Sequence, residues 1–322
     1  MPVDRPDPAD DPDEPSPSRP PDGRQLPDGP EPSDATAPLP LARANLDAVH
    51  RAHRAQVERI YAAHRDGTRN AGAAADAERD PCAEALPSLR AAWEEHQDRY
   101  PERERATPRT HTDRSWSSGE TRRLTPDQNT EATKACADIH DEGERVVYPA
   151  MCQIEAADPN RQMVGLEHML KGADRLKEKI ADALRARPEL TATQALSIVP
   201  DPVRFSYKYS PDRYADGVLA DVERLKQIGL EEVKLKNLWS DEQYKGINSQ
   251  WRRPETGLRI EVQFHTPSSL EAKELTHKAY ERIRSTDTSP TERGELEAFQ
   301  RRVNALLDTP PGTTEIPDFP EK

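Results

Sequence analysis

Apolar and polar residues alternate along residues 257–266, GLRIEVQFHT. The even-numbered positions of this stretch are apolar, whereas the odd-numbered ones carry a cation, a carboxylate, an amide and an imidazole: Arg259, Glu261, Gln263 and His265. Successive side chains of a β-strand point to opposite faces of its sheet. The stretch is therefore predicted to be a strand with one face on an apolar core and one polar face.

Similar alternation predicts three more strands, at residues 203–209, 231–239 and 246–253. Between the first two, residues 211–229 have apolar residues at helical spacing and stop at Gly229. This pattern predicts a crossover helix. The residues RPETGL at 253–258 predict a hairpin that joins the last two strands.

Helical spacing of apolar residues, together with start and stop signals, predicts the helices. They cover residues 41–65, 83–98, 127–155 and 162–186, a short segment through Ala195, residues 267–285, and a segment that begins at Ser289-Pro290. The order of elements predicts an α+β fold, a small mixed β-sheet of about four to five strands with helices packed on it. We expect the helices to cover one face of the sheet and to leave its polar face open.

Composition divides the chain into five segments. Residues 1–40 contain 13 of the 31 prolines and account for −7 of the net charge of −13, so they are predicted to be a disordered tail. The other four segments are predicted to be a helical region at 41–100, a polar linker at 101–125, the sheet domain at 126–308 and a disordered tail at 309–322.

Charge and hydropathy limit the class of protein. Outside residues 1–40 the net charge is −6, which does not by itself favour nucleic acid as a partner. No apolar run approaches the ~20 residues needed to cross a bilayer, and the N-terminus has no apolar segment typical of a secretory signal. With three cysteines and no metal-ligand spacing among them, the expected location is the cytoplasm. A delivered effector is the alternative.

The polar residues of the predicted strands converge on one surface if the apolar ones face the core. They are Arg204, Ser206 and Lys208, then Lys234 and Lys236, then the set that includes Glu261. A cationic surface with a carboxylate suits a polyphosphate and a magnesium ion. A solvated sheet face is the alternative interpretation of the same pattern.

Two further segments bear on this choice. Lys171, Arg175 and Lys179 recur every four residues and would form one helical stripe of cations, or an ordinary solvated face. Gly246, between Lys245 and Asn248, would let a ligand approach the backbone, or would simply make a turn.

Five segments, taken in chain order, resemble motifs of the synthetase domain of the RelA/SpoT family, which makes the alarmone (p)ppGpp. They are LKGADRLKEK at 170–179, DPVRFSY at 201–207, YKGINSQW at 244–251, IEVQFHT at 260–266 and THKAYE at 276–281. The resemblance spans about residues 126–285. It implies a nucleotide pyrophosphokinase that transfers pyrophosphate from ATP to the 3′-hydroxyl of an acceptor nucleotide.

The resemblance also implies roles for single residues. Glu261 would be the catalytic carboxylate, as a magnesium ligand or as the base for the acceptor hydroxyl, and Asp201 would be the second magnesium ligand, with Arg204 beside it. The cations expected to bind the ATP phosphates are Lys171, Arg175 and Lys179. The residues expected to face or orient the acceptor are Lys236, Lys245, Asn248, Gln263, His265 and His277.

Several positions depart from the family pattern. Met169 and Arg175 stand where the family has Arg and Ser, and His265 stands in place of Arg. Arg204 follows Asp201 by three residues instead of five, and Ile247 replaces the Tyr that stacks on guanine. The acceptor base therefore stays open between guanine and adenine.

Two alternatives in function also stay open. One is a toxin that pyrophosphorylates the 3′ end of tRNA. The acidic composition makes RNA less favoured as a partner than a nucleotide. The other is a catalytically inactive module that binds nucleotides or a protein. The family's hydrolase site has no matching set here, since His140-Asp141 on a predicted helix is interpreted as coincidence. A chain that makes but does not degrade an alarmone would be tightly regulated or a toxin, with an antitoxin or immunity protein as partner.

Overall fold

The structure is a computed structural model, and it describes residues 81–101, 106–285 and 287–319. The disordered tail predicted for 1–40 and the helix predicted for 41–65 lie outside the described residues. Eight α-helices occur in the described part of the chain: α1 (Pro81–Arg99), α2 (Pro126–Glu142), α3 (Tyr148–Ala156), α4 (Ala173–Ala186), α5 (Ala192–Ser197), α6 (Tyr214–Gln227), α7 (Pro267–Ile283) and α8 (Pro290–Asn304).

The described strands form two sheets. A small antiparallel sheet has the order β1-β2-β3, with β1 (Arg109–Thr110), β2 (Trp116–Ser118) and β3 (Arg122–Leu124). A five-stranded mixed sheet has the order β4-β5-β8-β7-β6, with β4 (Arg161–Val164), β5 (Val203–Tyr209), β6 (Glu231–Asn237), β7 (Ile247–Arg252) and β8 (Arg259–His265). Among the described strands, only β5 and β8 pair in parallel. The α+β fold class predicted from the sequence is confirmed.

The apolar face of the larger sheet lies on the main core. The side chains of β5 and β8 that face this core are fully or almost fully buried: Val203, Phe205, Tyr207, Tyr209, Ile260, Val262 and Phe264. Met151 of α3 and Val218 of α6 pack in the same cluster. The helix predicted at 211–229 is α6, which connects β5 to β6 across the sheet, and the predicted hairpin joins β7 to β8.

Local signals in the sequence explain where several helices begin. Thr125 and Thr266 precede α2 and α7, and each forms a capping box with the residue three positions later. Proline follows both caps, at the position where a helix has no need of its missing N–H. Ser289 caps α8 before Pro290 by accepting a hydrogen bond from the Glu292 N–H.

The helix predicted at 162–186 is wrong in its first half. Arg161–Val164 forms the edge strand β4, which pairs antiparallel with β5, so that Met163 lies opposite Tyr207. Gly165 then adopts a positive φ of 68° and leads into a short 3₁₀ turn, and α4 begins only at Ala173. The tertiary pairing with β5 overrides the helical spacing of the apolar residues.

The polar span 101–125, interpreted from the sequence as a linker, contains the small sheet. Trp116 and Leu124 are each 1% exposed and pack against α2, α4 and α5. A third cluster joins α1 to α7 and α8 through Leu89, Ala279 and Leu296. None of the described helices combines the length and the apolar composition that a bilayer crossing requires.

Helix α7 changes the expectation that the polar face of the sheet is open. It follows β8 and turns back over the polar face of the sheet, where Lys273 hydrogen-bonds to Gln263. Ser206 and Gln263 are consequently only 6% and 5% exposed. The polar face is thus partly covered by α7, and its residues Arg204 and Ser206 line a cleft beside this helix.

Candidate active site

The polar side chains of neighbouring strands lie in register across the larger sheet. One row runs Arg204, Glu261, Gln250 and Lys234, and the next runs Ser206, Gln263, Asn248 and Lys236. The prediction that these residues share one face is confirmed by the pairing. The face carries both signs of charge, with its carboxylate on β8 between cations on β5 and β6.

Arg204 bridges two carboxylates at the N-terminal end of β5. Its Nε donates to Glu261 Oε2 over 2.5 Å, and its Nη2 donates to Asp201 Oδ2 over 3.2 Å. Burial opposes the charge of Arg204, but the carboxylates of Glu261 and Asp201 outweigh it and raise the pKa of the guanidinium. The planar guanidinium therefore fixes both acids in one geometry.

Asp201 is the end of this bridge that also contacts a lysine. Lys171 Nζ lies 2.9 Å from Asp201 Oδ2, and the carboxylate side chain is only 15% exposed. Burial alone would raise the pKa of Asp201, but the hydrogen bond and charge of Lys171, with the charges of Lys179 and Arg204, lower it. Asp201 is held as an anion among three cations.

Backbone bonds hold the Lys171 segment against the start of β5. The Lys171 N–H donates to the Pro202 carbonyl over 3.0 Å, and the Arg204 N–H donates to the Met169 carbonyl over 2.8 Å. Met169 is 8% exposed and belongs to the main core. The position at which the family has a cation is thus a core position in this chain.

A cleft of about 890 Å³ opens over the Asp201 side of the Arg204 bridge, and Glu261 is not among its lining residues. Lys171, Gly172 and Arg175 form one side of it, named here the Lys171 wall. Leu270, Lys273, Glu274 and His277 form the other side, named here the α7 wall. Asp201, Arg204 and Ser206 also line the cleft. Its size falls within the range of small-molecule sites.

Lys273 is a cation of the cleft that the sequence motifs do not identify. Its Nζ donates to Gln263 Oε1 over 2.7 Å. Burial and the charge of Arg204 lower the pKa of Lys273 to about 8, against the opposing charges of Glu261 and Glu274. Four-residue spacing along α7 puts Lys273 and His277 on one face, which is the available sequence signal.

The small sheet orients α4 through three acidic residues at helical spacing. Trp116 Nε1 donates to Asp174 Oδ1 over 3.0 Å, and Ser118 Oγ donates to Glu178 Oε1 over 2.7 Å. Arg122 completes the set with Asp182, at 2.9 Å from Nη2 to Oδ2. These acids lie beside the predicted cation stripe and turn it toward Asp201.

The three predicted ATP-binding cations are not equivalent. Lys171 contacts Asp201 directly, just before α4 begins. Arg175 lines the cleft, is exposed, and pairs with Glu178 over 3.0 Å. Lys179 acts on Asp201 through its charge and does not line the cleft.

Two of the predicted acceptor residues lie in a buried hydrogen-bond network. His265 is 0% exposed, with Nδ1 3.1 Å from Ser269 Oγ and Nε2 3.1 Å from the Tyr244 hydroxyl. Burial and the charge of Lys273 lower the pKa of His265 far below its usual value. The Tyr244 hydroxyl donates to Asn248 Oδ1 over 2.9 Å. The structure therefore does not place His265 where it could contact an acceptor.

Gly246 fits closely against this network. Its φ is 148°, and a Cβ there would lie 3.0 Å from the Phe264 carbonyl oxygen and 3.1 Å from the His265 ring. Ile247, the next residue, is fully buried in the main core, so it cannot stack on a base. The glycine is explained by packing against β8.

The remaining acceptor residues are divided between the cleft and the surface. Lys245 Nζ donates to the Trp239 carbonyl over 2.6 Å and lines a separate pocket with Asn304. Lys236 is exposed at the far side of the sheet, on β6. His277 lines the cleft, 3.9 Å from Glu281. Partial burial, with the nearby cations, lowers its pKa.

Asp201 and Glu261 are the residues of this site that could hold the expected magnesium ion. Asp201 Oδ1 is buried and has no hydrogen-bond partner among the described residues, and Oε1 of Glu261 has none there either. Magnesium is typically held by one or two carboxylates together with substrate phosphates. In the described ranges no group of three or more His, Cys, Asp or Glu residues could hold a metal ion. His140 belongs to no such group. Its Nε2 lies 2.9 Å from the Lys171 carbonyl oxygen.

Comparisons with known proteins give structural neighbours. No family model matches the chain, and no curated protein matches its sequence. Similar solved structures include the complex of the Type VI effector Tas1 with its immunity protein, at 17% identity over 55% of this chain and 96% of that chain, with a TM-score of 0.39. A GTP pyrophosphokinase family protein from Streptococcus pneumoniae has 14% identity over 57% and 90%, with a TM-score of 0.38.

A third neighbour is the small alarmone synthetase 1 from Bacillus subtilis. Its identity is 12% over 56% of this chain and 92% of that chain, with a TM-score of 0.36. With identities and TM-scores this low, we base the functional proposal on the side chains of the cleft and on the sequence motifs.

Proposed function

We propose that this chain is a nucleotide pyrophosphokinase that transfers the β,γ-diphosphate of ATP to the 3′-hydroxyl of an acceptor nucleotide. The observation that carries the proposal is the pair Asp201 and Glu261, which Arg204 bridges. Asp201 and Arg204 line a cleft whose walls supply further cations. The five motifs that resemble the RelA/SpoT synthetase domain support the same chemistry.

The site residues would work by charge and position. Lys171 and Arg175 would bind ATP phosphate oxygens, and Arg204 would keep both carboxylates aligned. Asp201 Oδ1 and Glu261 would hold magnesium. A magnesium ion bound there would neutralise charge on the phosphates.

The reaction requires one proton transfer and one displacement. The acceptor oxygen attacks the β-phosphorus of ATP, and the bond from that phosphorus to the α–β bridging oxygen breaks, so AMP leaves with the bridging oxygen. The acceptor hydroxyl proton goes to the Glu261 carboxylate, whose Oε1 is free of protein partners in the described part of the chain. The charge spread over the phosphate oxygens is what the cationic walls would stabilise.

A transfer assay tests this proposal. Purified protein is incubated with γ-labelled ATP, magnesium and, separately, GDP, GTP, ADP, ATP or bulk tRNA. Label on one acceptor, with AMP as the second product, would identify both the reaction and the acceptor. ADP as the second product would instead indicate transfer of a single phosphate. The tRNA arm decides the alternative of a toxin that modifies tRNA.

Two matched variants complete the assay. Glu261→Gln removes the proposed base and metal ligand, and it should abolish transfer. Glu255→Gln makes the same change in the exposed β7–β8 loop, where Glu255 pairs with Arg253 over 3.3 Å, and it should leave transfer unchanged. Full transfer by Glu261→Gln would contradict the proposal. ATP binding without transfer on any acceptor would favour the inactive nucleotide-binding module.

A further inference from the structure

Lys273 differs from the other lysines and arginines of the cleft in its partners. Lys171 pairs with Asp201, Arg175 with Glu178, and Arg204 with both bridged carboxylates. Within the described residues, Lys273 has no carboxylate within ion-pair distance, and its one hydrogen-bond partner is the neutral amide oxygen of Gln263. Its positive charge is therefore not paired by the protein.

The surroundings of Lys273 make this an unfavourable place for an unpaired ammonium. The side chain is half-buried on the cleft-facing side of α7 and is repelled by Arg204. A buried charge without a counter-charge lowers stability. The hydrogen bond to Gln263 nevertheless holds Lys273 Nζ over the polar face of β8, two residues from Glu261 on the same strand. An anion bound in the cleft would supply the missing counter-charge.

We infer that Lys273 is a phosphate-binding residue, which contacts an oxygen of a nucleotide polyphosphate from the α7 wall, opposite the Lys171 wall. This inference rests on the proposed function for the identity of the ligand. The sequence motifs predicted that Lys245 would face the acceptor phosphates, and this inference gives a phosphate-binding role to Lys273 of α7 instead. Lys245 is committed to the Trp239 carbonyl and lines another pocket, so it does not reach this cleft in the structure.

The donor and the acceptor carry the same phosphate chemistry, so the test starts with inorganic tripolyphosphate. Its affinity is measured by titration calorimetry at low fixed ionic strength and near-neutral pH, for the wild type, Lys273→Met and Lys273→Arg. Lys278→Met is the matched control, since Lys278 is exposed on the same helix and does not line the cleft. Thermal melting of each variant verifies that it is folded.

We expect Lys273→Met to raise the dissociation constant at least about tenfold, because a charge-assisted hydrogen bond is lost. Lys273→Arg should stay within about threefold of the wild type, and Lys278→Met should equal it. Equal affinities of Lys273→Met and Lys278→Met would overturn the inference. A wild type that does not bind tripolyphosphate would overturn it as well.

Parallel titrations with ATP and with GDP distinguish the two sources of phosphate. A loss confined to ATP assigns Lys273 to the donor, and a loss confined to GDP assigns it to the acceptor. The transfer assay separates this inference from the proposed function. If the protein binds tripolyphosphate through Lys273 but transfers no pyrophosphate, the proposed function is contradicted and this inference stands. If Lys273→Met transfers pyrophosphate with an unchanged KM, this inference is contradicted and the proposed function stands.

Discussion

Arg204 and Glu261 are register partners on the parallel strands β5 and β8, and the guanidinium Nε donates to Glu261 Oε2 over 2.5 Å. Parallel pairing brings the two side chains to the same face at the same height. The second arm of the guanidinium reaches Asp201, three residues earlier in the chain. One side chain thus sets the separation of the two proposed metal ligands.

Replacement of Arg204 by lysine tests this bridge. An ammonium keeps the charge but cannot bond both carboxylates in a fixed plane. We expect the transfer rate to fall about 10- to 100-fold, as for a lost charge-assisted bond. Arg252→Lys on β7 is the matched control, because Arg252 is exposed and pairs with Glu231 away from the cleft. A rate equal to that of the control would show that the bridge does not align the acids.

The small sheet makes a second prediction, about stability. Trp116 is almost fully buried against α4 and hydrogen-bonds to Asp174. Trp116→Ala should lower the free energy of unfolding by about 3–5 kcal/mol, as for other large-to-small core changes. Trp116→Phe should cost about 1–2 kcal/mol, because it keeps most of the packing and loses the hydrogen bond. Urea unfolding measures both.

The exposed Arg123 on the same sheet provides the control. Arg123→Ala should change the free energy of unfolding by less than about 0.5 kcal/mol. If Trp116→Ala were no more destabilising than this control, residues 109–124 would be the linker that the sequence suggested and not part of the packed domain.

The sequence predicted the strands of the polar face because a period of two is a local property. It also located Asp201 and Glu261, since both lie in short motifs of the chain. It did not predict β1–β3, whose two- and three-residue strands are stabilised by contacts about 60 residues away along the chain. It missed Lys273 because the reach of that side chain depends on how α7 crosses the sheet.

The burial of His265 could not be predicted from the sequence for a related reason. The alternation along β8 places it correctly on the polar face, but Tyr244 and Ser269 cover that end of the strand and bury the imidazole. Which part of a polar face is covered depends on the path of the segments that follow it. Periodicity does not contain this information.

Lys273 makes a prediction about pH. Its pKa in the free protein is about 8, set by burial and Arg204 on β5 against Glu261 on β8 and Glu274 on α7. As the pH rises through this value the ammonium loses its proton, and the neutral amine no longer attracts phosphate. The affinity for tripolyphosphate should fall up to about tenfold per pH unit above 8, because the bound state takes up a proton.

Lys273→Arg is the reference for this titration. Arginine stays charged throughout the range, and division by its affinity at each pH removes the titration of the ligand itself. The affinity ratio of the wild type to Lys273→Arg should be flat below pH 7 and should fall above pH 8. A ratio that stays constant up to pH 10 would mean that Lys273 does not bind the phosphate.

A last prediction concerns the opposite face of the sheet, where Asp221 of α6 is fully buried. It accepts hydrogen bonds from Arg161, Tyr209 and Arg224, and the Arg161 side chain is itself fully buried. Asp221→Asn leaves the Arg161 cation without its counter-charge, so the free energy of unfolding should fall by about 3–5 kcal/mol.

The matched control for Asp221→Asn is Glu223→Gln, two residues further along α6 in an exposed pair with Lys226. It should change the free energy of unfolding by less than about 1 kcal/mol, as measured by urea unfolding. Because Asp221 faces away from the cleft, folded Asp221→Asn protein should keep the wild-type affinity for tripolyphosphate. Equal stability of the two variants would show that the buried pair contributes little, and a loss of affinity would show that α6 and the cleft are coupled through the sheet.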